Sequence, residues 1–417
     1  MLLKLGMVTE KMRGVPVFPP RTPVHVQDAH KSIVAIYDFL AKYERWIAAS
    51  NDNCCDFALG NPQTMPLEEF VAALRDAATP RNTSWYAYKT NEASSREIVG
   101  ASLNNLTGLE YPADNIFMTN GATGAHLVIM NALIGPNDEV IINNPPWFFY
   151  EGMILHSGGR PVGVDVDPGT FDLDVDGIER AITDNTRFVI VNSPNNPTGK
   201  VYSPDTLMKL SSVLDGASKS IGRPIYLVSD EVYRAIVYDG TTFHSPTKFY
   251  KNSIMVYSYG KTLLTPGQRV GYIALSPQMD DLEGLRMILY SSQILSGWAM
   301  TSALMQHCLQ DLEQMSLDVD ALQRRRDRFV RGLRECGYEV RAPEGAFYIT
   351  PKAPIEDDVA FADILAKEGV FCLPGSVVKM NGYLRASLTA TDDMVERALP
   401  VFAAARMASG VAASNAR

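Results

Sequence analysis

From about residue 60 to residue 300 the chain alternates between two textures. Stretches with apolar residues three and four apart, such as Glu68–Asp76 and Ser95–Leu106, predict helices. Between such stretches lie short runs rich in β-branched residues, each closing on turn chemistry. Asn115–Thr119 closes on Gly-Ala-Thr-Gly, and a helical stretch, Ala125–Leu133, follows. Glu139–Ile142 runs into Asn-Asn-Pro-Pro, and Phe188–Val191 into Asn-Ser-Pro-Asn-Asn-Pro-Thr-Gly. Ile225–Val228 ends on Ser-Asp-Glu and Ile254–Tyr257 on Ser-Tyr-Gly-Lys, with a further run, Val270–Leu275, close behind. Apolar runs separated mostly by helices predict an α/β fold with a largely parallel sheet covered on both faces.

After residue 300 the texture changes. Met300 to Cys336 reads as one long helix carrying the basic run Arg324-Arg325-Arg326, which composition assigns to a solvated face. A small α/β segment follows, with strands at Tyr338–Arg341, Phe347–Thr350, Val370–Leu373 and Tyr383–Leu388 and a helix near Val359–Glu368. A chain of 417 residues exceeds one compact core, so two domains are expected. Residues 61–300 would form the large one; residues 1–60 and 301–417 would together form the small one. The segment before residue 50 receives no role beyond packing, and Ala408 to Arg417, small and polar, is expected to fray.

Composition narrows the function classes. With 46% hydrophobic and 20% charged residues the chain has ample material for a core. A formal charge of -9 argues against a general nucleic-acid binder, which needs a basic face, but leaves room for a local pocket for one small anion. The cysteines, Cys54, Cys55, Cys308, Cys336 and Cys372, follow neither metal-ligand nor disulfide-scaffold spacing, which fits a reducing cytoplasm. Met1 to Arg21 lacks the apolar core of a secretory signal, and no stretch reaches the roughly 18 apolar residues of a membrane span. A soluble, cytoplasmic protein without a metal is expected.

The polar and reactive residues sit just past the C-terminal ends of the apolar runs, the edge where open α/β sheets bind ligands. One such loop means little; five in one chain predict a pocket. Ser258-Tyr259-Gly260-Lys261, with Arg269 shortly after, offers an amine beside a hydroxyl and a guanidinium. A lysine attacks an aldehyde only when unprotonated, which burial and neighbouring cations favour. Gly121, Ala122 and Thr123 at a helix start form either a simple chain reversal or an anion site of backbone N–H groups and a hydroxyl. Asp230 is either a helix N-cap or a buried carboxylate able to keep a pyridine nitrogen protonated. Tyr233 and Asn196 could hydrogen-bond a phenolate oxygen, and Trp147 could stack on a planar ring or fill the core. Arg385, inside a strand-like run, is either half of a structural ion pair or a clamp for a carboxylate.

Taken together these residues resemble the class I/II, fold-type I aminotransferases, the group that includes the aspartate and aromatic enzymes. The marks are Asn195-Asn196-Pro197-Thr198-Gly199, Asp230-Glu231-Val232-Tyr233, and Ser258-x-x-Lys261 with Arg269 eight residues on. Leu59-Gly60-Asn61-Pro62 looks like the family's opening turn, and Arg385 falls near the C-terminus as the family requires. The resemblance implies a seven-stranded, mostly parallel sheet between helices, a smaller α/β domain built from both termini, and pyridoxal 5'-phosphate as cofactor. It implies that Lys261 binds the cofactor aldehyde and shuttles the proton, that Asp230 pairs with the ring nitrogen, and that Asn196 and Tyr233 contact the phenolic oxygen. Trp147 would stack on the ring, and Gly121, Ala122, Thr123, Ser258 and Arg269 would hold the phosphate. Arg385 would bind the substrate carboxylate, with Gly60, Asn196 and Trp147 beside it. A homodimer with shared active sites is implied, with Tyr86, or alternatively Tyr88, lent across to the partner's phosphate. Two departures stand out: Ser193-Pro194 shifts the usual proline, and Asn91 replaces a glycine after the dimer-contact tyrosine.

The reaction implied is transfer of an amino group from an L-amino acid to a 2-oxo acid by a ping-pong route. A lyase or amino-acid oxidase would keep the same residues, and a regulatory binding protein would need a basic DNA-binding module that the first 50 residues do not resemble. Family members selective for acidic substrates often carry a second arginine beyond the lysine. Here that stretch reads Ser291-Ser292-Gln293-Ile294-Leu295-Ser296-Gly297-Trp298, with only Arg286 nearby. Trp298 could floor an apolar side-chain pocket instead, which favours a neutral or aromatic amino acid over aspartate.

Overall fold

The structure, a computed structural model, describes residues 18–50 and 53–410. Its strands in chain order are β1 (Cys55–Asp56), β2 (Ile116–Thr119), β3 (Glu139–Asn144), β4 (Arg160–Asp165), β5 (Thr186–Asn192), β6 (Tyr226–Asp230), β7 (Ser253–Ser258), β8 (Gly271–Leu275), β9 (Tyr348–Ile349), β10 (Val370–Phe371), β11 (Leu373–Pro374) and β12 (Leu384–Ser387). Seven of them form one sheet in the order β2-β8-β7-β6-β5-β3-β4. All neighbours are parallel except β8, which runs antiparallel to both β2 and β7. Every residue of β6, β7 and β8 is buried, the signature of a strand with helices on both faces.

Local signals explain the covering helices. Pro204–Ile221 opens with proline in its first turn, and the Ser203 hydroxyl accepts the Thr206 N–H. It stops at Gly222, whose φ of 79° only glycine adopts freely. The opening segment adds helices Val24–Ser32 and Val34–Ala49. The first lies against helix Tyr150–His156, where a Cβ on Gly152 would stand 3.0 Å from Ile33. The second places Phe39 and Trp46 near Phe371 in a separate aromatic cluster.

The C-terminal part holds two small sheets. β1 pairs in parallel with β10, so the chain just before the large sheet joins the chain well after it. β11, β12 and β9 form an antiparallel trio, and the Ser387 N–H donates to Phe57 O at 2.9 Å. Helices Val319–Glu335 and Asp392–Ala408 cover them around Phe329, Tyr338 and Phe402.

Three expectations are corrected here. Met300 to Cys336 is not one helix but three: Ala303–His307, Leu309–Leu312 and Val319–Glu335. The break falls where the Leu317 N–H donates to Thr262 O and the Asp318 carboxylate caps a new helix at Ala321 N–H. Tyr338–Arg341 forms no strand, because the Arg334 guanidinium occupies Val340 O at 3.0 and 3.1 Å and the Tyr338 hydroxyl donates to Phe402 O. The basic run is a solvated face only in part: Arg324 is exposed, but Arg326 is 2% exposed, donates to Asp239, Asp327 and Pro343 O, and lies over the Tyr238 ring. Arg326→Ala should therefore lower unfolding stability by about 2–3 kcal/mol, since it strips a buried carbonyl and an aromatic face of their donor. Urea denaturation checks this; a change below about 0.5 kcal/mol would return the residue to the surface class.

Candidate active site

The C-terminal ends of the central strands face the β11-β12-β9 trio across a cavity of about 250 Å³. Gly60, Ala122, Thr123, Trp147, Asn196, Asp230, Tyr233, Ser258, Lys261, Arg269 and Arg385 all line it, so eleven of the thirteen residues singled out in the sequence meet at one place. Gly121 sits directly behind Arg269, where a Cβ would fall 2.9 Å from the guanidinium. Tyr86 stands apart.

At one end of the cavity the helix Gly121–Leu133 begins, its start four residues earlier than the apolar pattern suggests. Gly121 takes a φ of 70°, and the guanidinium of Arg269 closes over it, donating to Asn120 O at 3.1 Å and Pro266 O at 2.8 Å. The Ser258 hydroxyl completes the corner, donating to Val270 O at 3.2 Å. Helix-start N–H groups without a side-chain cap, hydroxyls and a guanidinium together suit a phosphate-sized anion.

Opposite the anion corner, β6 delivers Asp230, which is buried. Its Oδ2 accepts the Tyr150 hydroxyl at 2.5 Å and the His126 Nε2–H at 2.9 Å. The helix-cap alternative for Asp230 falls away, because both donors come from other elements; its one backbone contact, Val232 N–H to Oδ1, is long at 3.4 Å. Burial, reinforced by the Asp230 charge, pushes the Tyr150 phenol well above its ordinary value, so it stays a donor. The next residue, Glu231, is wholly buried between Ser229, Ser245 and Arg234, and burial pushes its carboxyl up to about 7.

Lys261 projects from the short helix Tyr259–Thr262 that follows β7. Among the described residues its amine makes no hydrogen bond or ion pair; Nζ lies 5.8 Å from the Tyr233 ring and 5.6 Å from the Phe347 ring. Trp147, half-buried, meets the Tyr150 ring edge-on with centroids 5.2 Å apart. The Asn196 N–H donates to Asn192 Oδ1 at 2.8 Å, holding the loop after β5 against the strand end.

Arg385 is 2% exposed on β12, and no carboxylate pairs with it among the described residues, so the structural ion-pair alternative is excluded. It donates to Asn196 Oδ1 at 3.3 Å and Ala58 O at 3.2 Å, while its Nε is buried without a partner. An unmet buried guanidinium donor facing a cavity suits an incoming carboxylate.

Sequence reasoning missed His126, Tyr150 and Tyr348. His126 interrupts an apolar helical run one turn past the anion corner, and Tyr150 follows Trp147 by three residues; those spacings were the available signals. Outside the cavity, Tyr86 is 57% exposed with its hydroxyl donating to Ala78 O, and Tyr88 is 91% exposed. Trp298 does not floor the cavity of its own chain: it rests against Tyr88 and donates to Lys89 O at 3.0 Å. Arg286 is engaged by Asn115 Oδ1, at 2.9 Å from its Nε. Asn91, the departure from the family's glycine, receives the Met118 N–H at 2.7 Å and donates to Gln293, tying its loop to β2.

A lysine whose amine makes no hydrogen bond among the described residues shares one cavity, at the strand-end edge of the sheet, with a buried carboxylate and a guanidinium whose Nε is unmet, an arrangement that suits amino-group transfer. The family is that of aminotransferases class I and II: its sequence model matches residues 52–402, and the chain belongs to it. A probable aspartate aminotransferase from Methanocaldococcus jannaschii is 30% identical over 84% of this chain and 93% of its own length. An amino transferase structure from Eubacterium rectale superposes with a TM-score of 0.84 at 30% identity, covering 93% of this chain and 96% of that one. The Thermus thermophilus aspartate aminotransferase solved with maleate gives a TM-score of 0.77 at 27% identity over 88% of this chain and 96% of its own. The protein is an aminotransferase of this class.

Proposed function

We propose that the enzyme uses pyridoxal 5'-phosphate to move the amino group of a neutral or aromatic L-amino acid to a 2-oxo acid in two half-reactions. The observation that carries this is the pairing of an unpartnered Lys261 with a buried Asp230 across one cavity, between an anion corner and an unmet Arg385 donor. The residues fit the cofactor chemically at each end. A side chain at Gly121 would collide with Arg269, so the anion corner is kept open by glycine, and the carboxylate of Asp230 has a matched place for a protonated ring nitrogen. When bound, the cofactor supplies an aldehyde that captures amines and a protonated ring that withdraws electrons from the substrate α-carbon.

The chain's own groups then divide the work. Gly121, Ala122, Thr123, Ser258 and Arg269 hold the phosphate, Trp147 covers the ring face, and Asn196 and Tyr233 meet the phenolic oxygen. Asp230, with His126 and Tyr150 behind it, holds the ring nitrogen's proton. Arg385 would orient the substrate carboxylate beside Gly60, and Lys261 would take the proton from the substrate's Cα. Burial keeps Tyr233 protonated and able to donate.

The domain division proposed from sequence, 61–300 against 1–60 with 301–417, puts Lys261 and Arg385 on opposite walls, so closure of one part on the other would exclude water. The working unit is a homodimer. Tyr86, Tyr88, Met287, Leu295 and Trp298 are large apolar side chains left exposed, which supports burial against a second copy, and Tyr86 does not line the cavity that holds Lys261. All five cysteines are free, as suits the cytoplasm. No described helix is long and apolar enough to cross a membrane. The cavity's cations are Lys261, Arg269 and Arg385, each with a role, and Arg286 is held by Asn115; this supports a substrate without a second carboxylate.

Absorbance tests the reading. The loaded protein should show a band at roughly 360–430 nm, bleached without oxygen by neutral or aromatic amino acids at lower concentration than by aspartate. Preference for aspartate would overturn the substrate class, and oxygen consumption would move the reaction to an oxidase. No band with pyridoxal phosphate present would sink the reading as a whole.

A further inference from the structure

Arg385 carries its positive charge at 2% exposure, and a cation in such a place is costly unless something meets it. Its hydrogen bonds to Asn196 Oδ1 at 3.3 Å and Ala58 O at 3.2 Å are long and reach neutral oxygens, and Nε has no partner. What meets the flat face of the guanidinium is the ring of Tyr348, whose centroid lies 4.3 Å from the guanidinium carbon. The sheet builds this stack. Tyr348 on β9 stands opposite Ser387 on β12, and Arg385, two residues before Ser387, shares its face of the strand. Tyr348 is itself buried, and the opposite wall is cut away for it: a Cβ on Gly60 would stand 2.5 Å from its oxygen, so only glycine leaves room. From the end of β6 the Tyr233 hydroxyl donates to that same oxygen at 3.4 Å. This seat holds the ring in place beneath the guanidinium.

We propose that the Tyr348 ring stands in for a counter-ion to Arg385, holding the guanidinium by its face and leaving the guanidinium edge open to the substrate's α-carboxylate. A resident carboxylate would hold the cation more tightly, but it would occupy the N–H groups that the substrate needs. An aromatic face attracts a cation without accepting its in-plane hydrogens, and the attraction is largest where water is excluded. The unmet Nε is then a consequence of the arrangement, since nothing in the protein competes for it. Stacking also fixes the plane of the guanidinium before substrate arrives, so less freedom is lost on binding. Tyr348 acts through Arg385 and is a positioning residue. The inference rests on the reading that Arg385 takes the substrate carboxylate, and it adds what keeps a buried arginine available for that.

The test compares the parent with Tyr348→Leu, which removes the ring, and Tyr348→Phe, which keeps it and removes the oxygen. The probes for the loaded enzyme are 3-phenylpropionate, which has the carboxylate and no amine, 2-phenylethylamine, which has the amine and no carboxylate, and L-phenylalanine. In Tyr348→Leu the acid should bind about tenfold more weakly by calorimetry. The KM for L-phenylalanine should rise by about the same factor, with kcat within about threefold. Binding of 2-phenylethylamine, followed by absorbance, should stay within about twofold, as should binding of pyridoxine 5'-phosphate to the stripped protein. Tyr348→Phe should recover all but about twofold of the lost acid affinity. Equal weakening of acid and amine would make Tyr348 a plain cavity wall and overturn the inference alone. Equal losses in the two variants would assign the effect to the hydroxyl and overturn it as well. Lost pyridoxine phosphate binding in Tyr348→Leu would overturn it in favour of a structural role. A parent protein that binds neither 3-phenylpropionate nor L-phenylalanine would remove the inference together with the substrate reading beneath it.

Discussion

Replacing Lys261 with alanine is expected to lower kcat by about a thousandfold or more, which is about 4 kcal/mol of transition-state stabilisation. The expectation rests on what else in the cavity could take a proton from the substrate α-carbon. Asp230 is engaged by Tyr150 and His126 deep in the sheet edge, and burial keeps Tyr233 and Tyr150 protonated. Arg269 and Arg385 do not act as bases at neutral pH. Lys261 lines the cavity with an amine that makes no hydrogen bond or ion pair among the described residues. The variant should still bind pyridoxal phosphate through the corner at Gly121, Thr123, Ser258 and Arg269, because none of those contacts passes through residue 261. Two measurements check this together: steady-state turnover with a reactive amino acid, and absorbance of the loaded variant, whose band should shift to that of the free aldehyde. Multiple turnover within about tenfold of the parent would show that another group moves the proton, and the assignment of Lys261 would fall.

The alternation of apolar runs and helices foretold six of the seven strands in the main sheet, and the turn after each run foretold the cavity. The strand it missed, β4, has only one buried residue in six and contains Pro161 and Gly163. An edge strand with so little apolar content has no period to read. Hydrophobic period also misjudged Met300 to Cys336, since two short helices followed by a longer one keep nearly the same apolar spacing as one long helix. Only the capping residues Ser302 and Asp318 mark the breaks. Burial of Arg326 was illegible for a different reason: a run of three arginines says nothing about which faces inward, and the partner Asp239 lies 87 residues away.

Among the site residues, legibility followed motif content. Lys261, Asp230, Asn196 and Arg269 sit at or just past strand ends, where glycines, prolines and polar spacing already restrict the backbone, so chemistry and conformation point the same way. His126 and Tyr348 sit inside a helix and a strand, where a lone polar or aromatic residue has an ordinary packing explanation. Their significance comes from neighbours supplied by other elements: Asp230 from β6, Arg385 from β12 and Gly60 from the segment after β1. Tyr86 remained outside the cavity of its own chain, which a single chain cannot complete if the tyrosine serves a second copy.

Asp230→Asn carries the other large expected effect, a fall in kcat of about 10²–10³-fold with cofactor affinity changed far less. The side chain keeps its shape but loses its charge. In the parent protein two donors converge on Oδ2, which fixes the carboxylate and leaves Oδ1 with only the long Val232 contact. A carboxylate there would stabilise a proton on a ring nitrogen, since in a buried site opposite charges hold each other far better than in water. An amide cannot supply that charge, and its NH₂ would also face the donors of Tyr150 and His126, setting donor against donor in a buried place. The pyridine would then sit neutral and withdraw electrons poorly from the α-carbon, so the slow step becomes loss of the Cα proton. Substituting deuterium at Cα should therefore give a larger isotope effect in the variant than in the parent. Phosphate-end binding, measured with pyridoxine 5'-phosphate, should stay within about threefold. If Asp230→Asn instead keeps kcat within about threefold and the isotope effect unchanged, the carboxylate is a structural anchor for Tyr150 and His126, and the ring-nitrogen role assigned to it is wrong.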